Sequence, residues 1–348
     1  MRIEIDSRDG AGRIGKVRIN NRSFRIPNII FIDVDRAKCP DFAEFIGSSD
    51  GKEEKEGKIV IRYPRSRWLE NEEKEDASLS LPKGIIYPSS MPAEFHSNIE
   101  NQNWGIISCN GEAKISPPTI KGKIFTLANL ISLYPRSRVF VENIVKAREK
   151  VGYSSLLHAS GIADVKNISL LVYMGIDLFD SLKAIVCARR GFLFFPEGNI
   201  HKDDLSDKIC HCDSCRKFDD PRDMDFDDIL LHNLIALKEE INRIRFFISK
   251  GCLRELVESR VSNSPELLEK FRILNEEFYE FLEERTPIIK KVKLKATLRE
   301  SLNYPEIERF RRRIIERYKK PKSAKILLLL PCSAKKPYSL SKSHRMFR

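Results

Sequence analysis

Two short runs of the sequence concentrate side chains that can bind metals or act as nucleophiles. The first run contains Cys210, Cys212 and Cys215, and His232 follows seventeen residues after the last cysteine. Thiolates at positions i, i+2 and i+5 of a tight loop can converge on one tetrahedral ion, and a histidine on the next helix can complete the set. Four protein ligands leave no open position, so the spacing predicts a structural Zn²⁺ site. His211 is the competing fourth ligand, but its place between two ligands gives it poor geometry.

The second run, from Pro331 to His344, places a thiol, hydroxyls, lysines, a phenol and an imidazole within fourteen residues. It follows Lys325 and the apolar stretch from Ile326 to Leu330, which predicts a strand buried on both faces. A loop after a parallel strand is where open α/β sheets bind ligands. The alternative is a polar turn that leads to a frayed terminus. The candidate catalytic residues of this run are Cys332, Ser333, Lys336, Tyr338 and His344.

A third candidate is a pair of aspartates upstream of the cysteines. The stretch from Tyr173 to Ser181 predicts a helix end, a cap at Gly175 and a short strand that carries Asp177 and Asp180. A carboxylate at the carboxyl end of a strand lies on the catalytic face of a β/α barrel. The alternative is one capping and one surface aspartate.

The elements that position these residues divide the chain into an α/β part and a helical part. Strand-like and helix-like stretches alternate between about 120 and 200, which indicates parallel β/α units. From Asp227 onward, apolar residues recur near a 3.6-residue period. Ser264-Pro265 predicts a helix start, and a basic amphipathic helix is expected from Ile307 to Tyr318.

Composition favours a cytoplasmic protein with a polyanionic partner. The 348 residues include 62 Lys and Arg against 50 Asp and Glu, a net charge of +12, which suits RNA but is also found in many thermophilic proteins. No apolar run approaches the length of a membrane span, and the charged opening from Met1 to Asp6 is unlike a signal peptide. Scattered cysteines with one tight group favour a metal site in a reducing compartment.

The cysteine cluster and the aspartate segment both resemble parts of the tRNA-guanine transglycosylases. The Cys-x-Cys-x-x-Cys run, with the helix around Leu231 to Leu234, is similar to the zinc element of that family, which holds a subdomain against a β/α barrel. Asp180 falls on the family's nucleophilic aspartate, which attacks the ribose anomeric carbon. Arg189 and Arg190 fall in a basic stretch that meets tRNA. The opening from Arg8 to Lys16 also resembles archaeal members.

One departure from this family concerns a second aspartate. Active transglycosylases carry it in an Asp-Ser-Gly-Gly-Phe-Gln segment, where it serves as acid/base and helps to recognise the base. The nearest region here, from Asn103 to Gly111, has no such acid. Base exchange needs a proton on the leaving base, so the sequence argues against this activity.

The terminal run is similar to the signature of archaeosine synthase, an archaeal family that descends from the transglycosylases. The resemblance implies conversion of the nitrile of 7-cyano-7-deazaguanine in tRNA, with free lysine or another amine as donor. Cys332 could add to the nitrile as a thiolate activated by Lys335 or Lys336, and Tyr338 or His344 could supply the proton. Packing of Cys332 at a strand end, and phosphate contact by Lys335, are the alternatives.

The predicted architecture is an α/β, TIM-barrel-like transglycosylase domain over residues 1–285, with a zinc element at about 205–250. Residues 286–348 are expected to form a helical linker and the beginning of a small α/β domain. The resemblance further implies additional C-terminal domains that end in a PUA-type RNA-binding module, and a radical enzyme that acts next. We expect a second chain to carry these domains, and a truncated or inactive gene product is the alternative. Base exchange, or a non-catalytic tRNA-binding subunit, are the alternative functions.

Overall fold

The structure is a computed structural model of the chain, and it describes residues 1–19, 22–33, 37–48, 58–62, 104–109, 124–290 and 292–347. The chain opens with an antiparallel sheet of β1 (Arg2–Asp9), β2 (Gly12–Ile19) and β3 (Arg22–Ile26), joined in sequence order. The register of β1 against β2 shifts between Ile5 and Ser7.

Among the described residues, seven strands form a parallel sheet. The strands are β4 (Asn28–Asp33), β5 (Phe45–Ser48), β6 (Ile59–Arg62), β7 (Trp104–Ser108), β8 (Ile124–Ala128), β9 (Leu156–Ala159) and β10 (Leu178–Asp180). Their order is β6-β5-β4-β10-β9-β8-β7, so the first parallel strand lies beside the last one. This cyclic order is the order of a β/α barrel, in which the chain returns to its first strand.

Helices between the strands bury apolar faces against this sheet. They are α1 (Leu130–Leu133), α2 (Ser137–Val151), α3 (Ile168–Tyr173) and α4 (Leu182–Arg189). Phe140, Val141 and Ile144 of α2 are fully buried, at the i, i+1 and i+4 spacing of one helix face. The segment from Asn103 to Gly111, which lacks the second aspartate of the transglycosylases, contains β7. Asn103, Asn110 and Gly111 lie outside the described residues.

The zinc element predicted at about 205–250 follows a hairpin and includes a long helix. The hairpin pairs β11 (Phe192–Phe194) with β12 (Asn199–His201), and the long helix is α5 (Phe226–Ser249). The helices α6 (Leu253–Val261), α7 (Pro265–Glu277) and α8 (Tyr279–Glu284) follow. The expected helix start at Ser264-Pro265 is confirmed, because the Ser264 side chain accepts a hydrogen bond from the Leu267 N–H.

Two compact units divide the chain between Ile307 and Glu308. This division falls inside α9 (Pro305–Arg317), later than the expected boundary between residues 285 and 286. The second unit also contains α10 (Lys342–Arg345). Within the described part of the chain, no helix combines the length and the apolar character that a membrane span requires.

The strand predicted from Ile326 to Leu330 is wrong. These residues have no regular secondary structure, and their apolar side chains are exposed, with Leu329 at 82%. A strand with two apolar faces needs hydrogen-bonded neighbours on both sides. Among residues 308–347 no segment forms a strand to pair with it.

Candidate functional site

The three cysteines and His232 converge at one point. Their ligand atoms all lie within 4.8 Å of one another. The His232 Nδ1 atom is 3.2 Å from the Cys215 Sγ atom and 3.6 Å from the Cys212 Sγ atom. Three thiols and one imidazole at this spacing suit a tetrahedral metal ion with four protein ligands. The cluster can therefore bind a metal.

The local fold orients the ligands from both sides. Asp225 caps α5 by accepting a hydrogen bond from the Asp228 N–H at 3.0 Å, and Ser214 donates to the Asp228 carbonyl at 2.7 Å. The Nε2 atom of His232 lies 3.0 Å from the Phe194 carbonyl. A carbonyl can only accept, so Nε2 carries the proton and Nδ1 is left as the metal ligand. His211, the competing ligand, is exposed and lies outside this group.

Asp180 lies at the carboxyl end of β10 and is fully buried. Its carboxylate accepts hydrogen bonds from the Ser160 hydroxyl at 2.5 Å, the Gly161 N–H at 2.8 Å and the Leu182 N–H at 3.2 Å. The expected place at the carboxyl end of a strand is thus observed. However, the carboxylate holds the loop after β9 and the start of α4, and it offers no exposed oxygen for attack.

Two residues beside Asp180 were missed by sequence reasoning. The His158 Nε2 atom is 3.4 Å from the Asp180 Oδ2 atom, and the His158 Nδ1 atom is 2.9 Å from the Thr126 hydroxyl. Both residues are fully buried, on β9 and β8. The available signal was a polar residue inside each of two otherwise apolar strands, which becomes informative only when the strand order is known.

Asp177 serves a different purpose at the amino end of β10. Arg13 holds it with two bonds, of 2.8 and 3.0 Å, and Arg148 holds it at 2.5 Å. Burial would raise the pKa of Asp177, but Arg13 and Arg148 outweigh it and keep the pKa below its ordinary value. This buried ion network ties the β1–β2 hairpin to the strand that carries Asp180.

The two arginines predicted to meet tRNA lie at the far end of α4. Arg189 and Arg190 are exposed, and the Arg189 guanidinium carbon is 5.9 Å from the centre of the Phe226 ring. Asp180 precedes α4 by two residues, and the helix rise separates Leu182, the first residue of α4, from Arg189 by about 10 Å along the axis, so the structure does not bring Arg189 to Asp180.

Three residues of the terminal run come together in the second unit. The Cys332 Sγ atom is 3.2 Å from the Tyr338 hydroxyl, and the Tyr338 and His344 rings stack with their centres 4.7 Å apart. The His344 Nε2 atom lies 2.8 Å from the Pro331 carbonyl, which fixes the imidazole beside the tyrosine. The cysteine is exposed, so its sulfur is accessible. These residues form what we call the thiol–phenol cluster: Cys332, Tyr338 and His344.

The lysines and the serine of this run lie around the thiol–phenol cluster. The Lys336 Nζ atom is 5.9 Å from the centre of the Tyr338 ring, and Ser333 accepts a hydrogen bond from the Lys335 N–H at 3.4 Å. Contact with Cys332 raises the pKa of Tyr338 above its ordinary value. The phenol therefore stays protonated at neutral pH and can donate its proton.

Comparison with known proteins decides which family this arrangement resembles. Residues 120–266 match the family model described as queuine tRNA-ribosyltransferase, and residues 307–348 match a domain of unknown function, DUF5591. The archaeosine synthase of Haloferax volcanii is 29% identical over 99% of this chain and 54% of its own length. This chain is a relative of the archaeosine synthases. Its α/β fold is TIM-barrel-like and of the transglycosylase type, with a cysteine–histidine cluster.

Other relatives support the similarity to archaeosine synthases and the similarity to transglycosylases. The archaeosine synthase subunit alpha of Thermoplasma acidophilum is 34% identical over 75% of this chain and 48% of its own length. The tRNA-guanine(15) transglycosylase of Thermococcus onnurineus is 26% identical over 86% of this chain and 51% of its own length. The chain thus spans about half the length of the curated relatives it matches.

Proposed function

We propose that this chain belongs to a tRNA-modifying transferase of the archaeosine pathway. In this proposal the enzyme adds an amine, free lysine, to the nitrile of 7-cyano-7-deazaguanine in tRNA. The observation that carries the proposal is the thiol–phenol cluster, because it joins an exposed nucleophile to a proton donor at 3.2 Å. Similarity to archaeosine synthases over nearly the whole chain supports the substrate class.

The cluster supplies both groups that addition to a nitrile needs. The Cys332 thiolate forms a bond to the nitrile carbon while the Tyr338 hydroxyl gives its proton to the nitrile nitrogen, which yields a thioimidate. The lysine amine then bonds to the same carbon, the sulfur–carbon bond breaks, and the amine proton returns to the phenolate. The product is an amidine, and nothing is oxidised or reduced. His344 orients the phenol by stacking on it.

The barrel acts as a scaffold for the nucleotide in this proposal. Asp180 is buried and saturated by three donors, so we assign it a positioning role for the loop at Ser160 and Gly161. Base exchange would need this carboxylate to reach a ribose carbon. Arg189 and Arg190, exposed at the end of α4, are proposed contacts for tRNA phosphates.

Zinc is the proposed metal of the Cys210, Cys212, Cys215 and His232 cluster. A set of three sulfur ligands and one nitrogen ligand is typical of structural zinc sites. The ion would link the loop after β12 to α5, and no catalytic step depends on it. The partner chain and the radical enzyme implied by the resemblance stay predictions.

One experiment tests the proposed reaction. The chain, isolated from its native source together with the proteins that copurify with it, is incubated with tRNA containing the cyano base and with ¹³C-labelled lysine. Nucleoside mass spectrometry is expected to find the label in the modified base. Unchanged cyano base, or incorporation of radiolabelled guanine in a parallel reaction, would contradict the proposal and favour binding alone or base exchange.

A further inference from the structure

A cavity lies at the amino ends of the parallel strands, at the opposite end of β10 from Asp180. Its volume is about 370 Å³, within the range of small-molecule sites. One wall is the β1–β2 hairpin, from Ile5 to Arg13, and the other contains Tyr153 and Arg285. The register shift of β1 between Ile5 and Ser7 falls in the first wall. Irregular strand pairing of this kind is frequent beside functional sites.

The lining of this cavity is rich in guanidinium groups. Arg8, Arg13 and Arg285 contribute to it, and Asp6 is its acidic member. The carboxylate behind Arg13 does not neutralise the cavity, because Asp177 is shared between Arg13 and Arg148. Guanidinium groups bind phosphate and carboxylate oxygens with paired hydrogen bonds.

The Tyr153 ring is surrounded by three guanidinium groups. The guanidinium carbons of Arg285, Arg148 and Arg13 lie 4.1, 5.1 and 5.5 Å from the centre of its ring. Burial raises the pKa of Tyr153, and the three nearby arginines only partly oppose this. Its hydroxyl is therefore a protonated hydrogen-bond donor at neutral pH.

Two donors of this group lack an acceptor within the part of the chain that the structure describes. They are the Tyr153 hydroxyl and the Arg285 Nε atom, both shielded from solvent. A buried donor without an acceptor is costly, so such atoms call for an unseen partner. Arg285 does pair with Glu284 through another nitrogen, at 3.2 Å, which leaves Nε to be satisfied by something else.

We propose that this cavity binds a small molecule through a phosphate group, and that the Tyr153 hydroxyl and the Arg285 Nε atom donate hydrogen bonds to the phosphate oxygens. A phosphate carries acceptors for several donors at once, and its negative charge matches the three lining arginines. The cavity volume of about 370 Å³ is in the range of small-molecule sites, which favours a small ligand over tRNA itself. The lining of this cavity shares no residue with the thiol–phenol cluster, so the proposal does not depend on the proposed function.

The test is a titration of the whole chain with inorganic phosphate. Thermal unfolding is measured at constant ionic strength, with chloride replaced by phosphate, and the affinity is measured by calorimetry. Phosphate is expected to raise the Tm of the wild-type chain. Tyr153→Phe and Arg285→Gln are expected to weaken phosphate affinity about tenfold or more, because each removes a hydrogen bond to a charged group.

Two variants provide matched controls. Tyr304→Phe removes another buried hydroxyl without a partner in the described chain, and Arg243→Gln removes another arginine paired with a glutamate, but neither residue lines the cavity. Both should keep the wild-type affinity. The proposal is overturned if phosphate stabilises no more than chloride, or if Tyr153→Phe and Arg285→Gln bind phosphate as tightly as their controls. If Tyr153→Phe and Arg285→Gln lost tRNA binding but kept the wild-type phosphate affinity, the arginines would be assigned to the nucleic acid instead.

Discussion

Two regions of this molecule combine cysteine with histidine, yet their geometry leads to different chemistry. The first region, which we call the metal cluster, consists of Cys210, Cys212, Cys215 and His232, whose ligand atoms all lie within 4.8 Å of one another. In the thiol–phenol cluster, a single exposed thiol faces the Tyr338 hydroxyl, and the histidine stacks on that tyrosine. The first arrangement leaves no open position, whereas the second leaves the sulfur open to a substrate.

The comparison shows that residue type alone does not separate a structural site from a reactive one. Two features separate the sites. One is the direction of the histidine ring nitrogen that no backbone carbonyl holds, and the other is the group that the cysteine sulfur faces. His232 is oriented by the Phe194 carbonyl so that its free nitrogen joins the thiols. His344 is held by the Pro331 carbonyl, and Cys332 is left with a proton donor as its neighbour.

The largest expected effect is loss of the metal cluster. Cys215→Ser should release the metal and destabilise the fold by about 4–5 kcal/mol or more, because loss of a metal is among the most damaging single changes. Elemental analysis and denaturant unfolding measure both effects. Cys252→Ser, at the start of α6 and outside the cluster, is the control and should change neither. If Cys215→Ser kept its full metal content, Cys215 would not be a metal ligand, and the contrast between the two regions would be lost.

The next effect concerns the proton donor. Tyr338→Phe should lower the rate of nitrile conversion by roughly 100-fold, because general acid catalysis contributes about 10²–10⁴-fold. Single-turnover assays on tRNA with the cyano base measure this rate. Tyr318→Phe, an exposed tyrosine of the same unit, should leave the rate unchanged. Equal rates in the two variants would show that Tyr338 does not donate the proton.

A smaller effect is expected in thiol reactivity. Iodoacetamide should modify Cys332 about tenfold faster than Cys210, Cys212 or Cys215 when metal is bound, because metal ligation blocks the sulfurs. Removal of the metal with a chelator should abolish this difference. Peptide mass spectrometry follows each site. If the three cysteines react as fast as Cys332 in the metal-loaded chain, the metal cluster is not formed as the structure places it.

The smallest effect is a change in the Tyr338 pKa. Because Cys332 raises this pKa by hydrogen bonding and by charge, Cys332→Ala should lower it towards the ordinary tyrosine value. Titration of ¹³C-labelled tyrosine by NMR measures the change, with Cys252→Ala as the control. A Tyr338 pKa that stays the same, or rises, would contradict the contact between the two side chains.

The sequence predicted the parts of the fold and site that depend on local spacing. The metal ligands lie within one loop and the next helix, and the cap at Ser264 is a local hydrogen bond, so both follow from residue order. The meeting of Cys332 with Tyr338 is likewise a contact over six residues. The matching of Asp180 to the carboxyl end of a strand also needed only the local pattern.

Contacts that depend on long-range pairing could not be predicted. Thr126, His158 and Asp180 meet because β8, β9 and β10 are neighbours in a parallel sheet, and strand order is not encoded in any one segment. The prediction of a strand from Ile326 to Leu330 failed for a related reason. An apolar run from Ile326 to Leu330 indicates a strand, but the pattern does not say whether partner strands lie beside it.

The most direct measurement is the yield of modified nucleoside from Cys332→Ala beside Cys252→Ala, each isolated together with the proteins that copurify with it and given the cyano-base tRNA and lysine. Nucleoside mass spectrometry should find no detectable product with Cys332→Ala and the wild-type amount with Cys252→Ala, while both bind tRNA and retain their metal. Wild-type yield from Cys332→Ala would contradict the assignment of the thiol–phenol cluster as the reactive site.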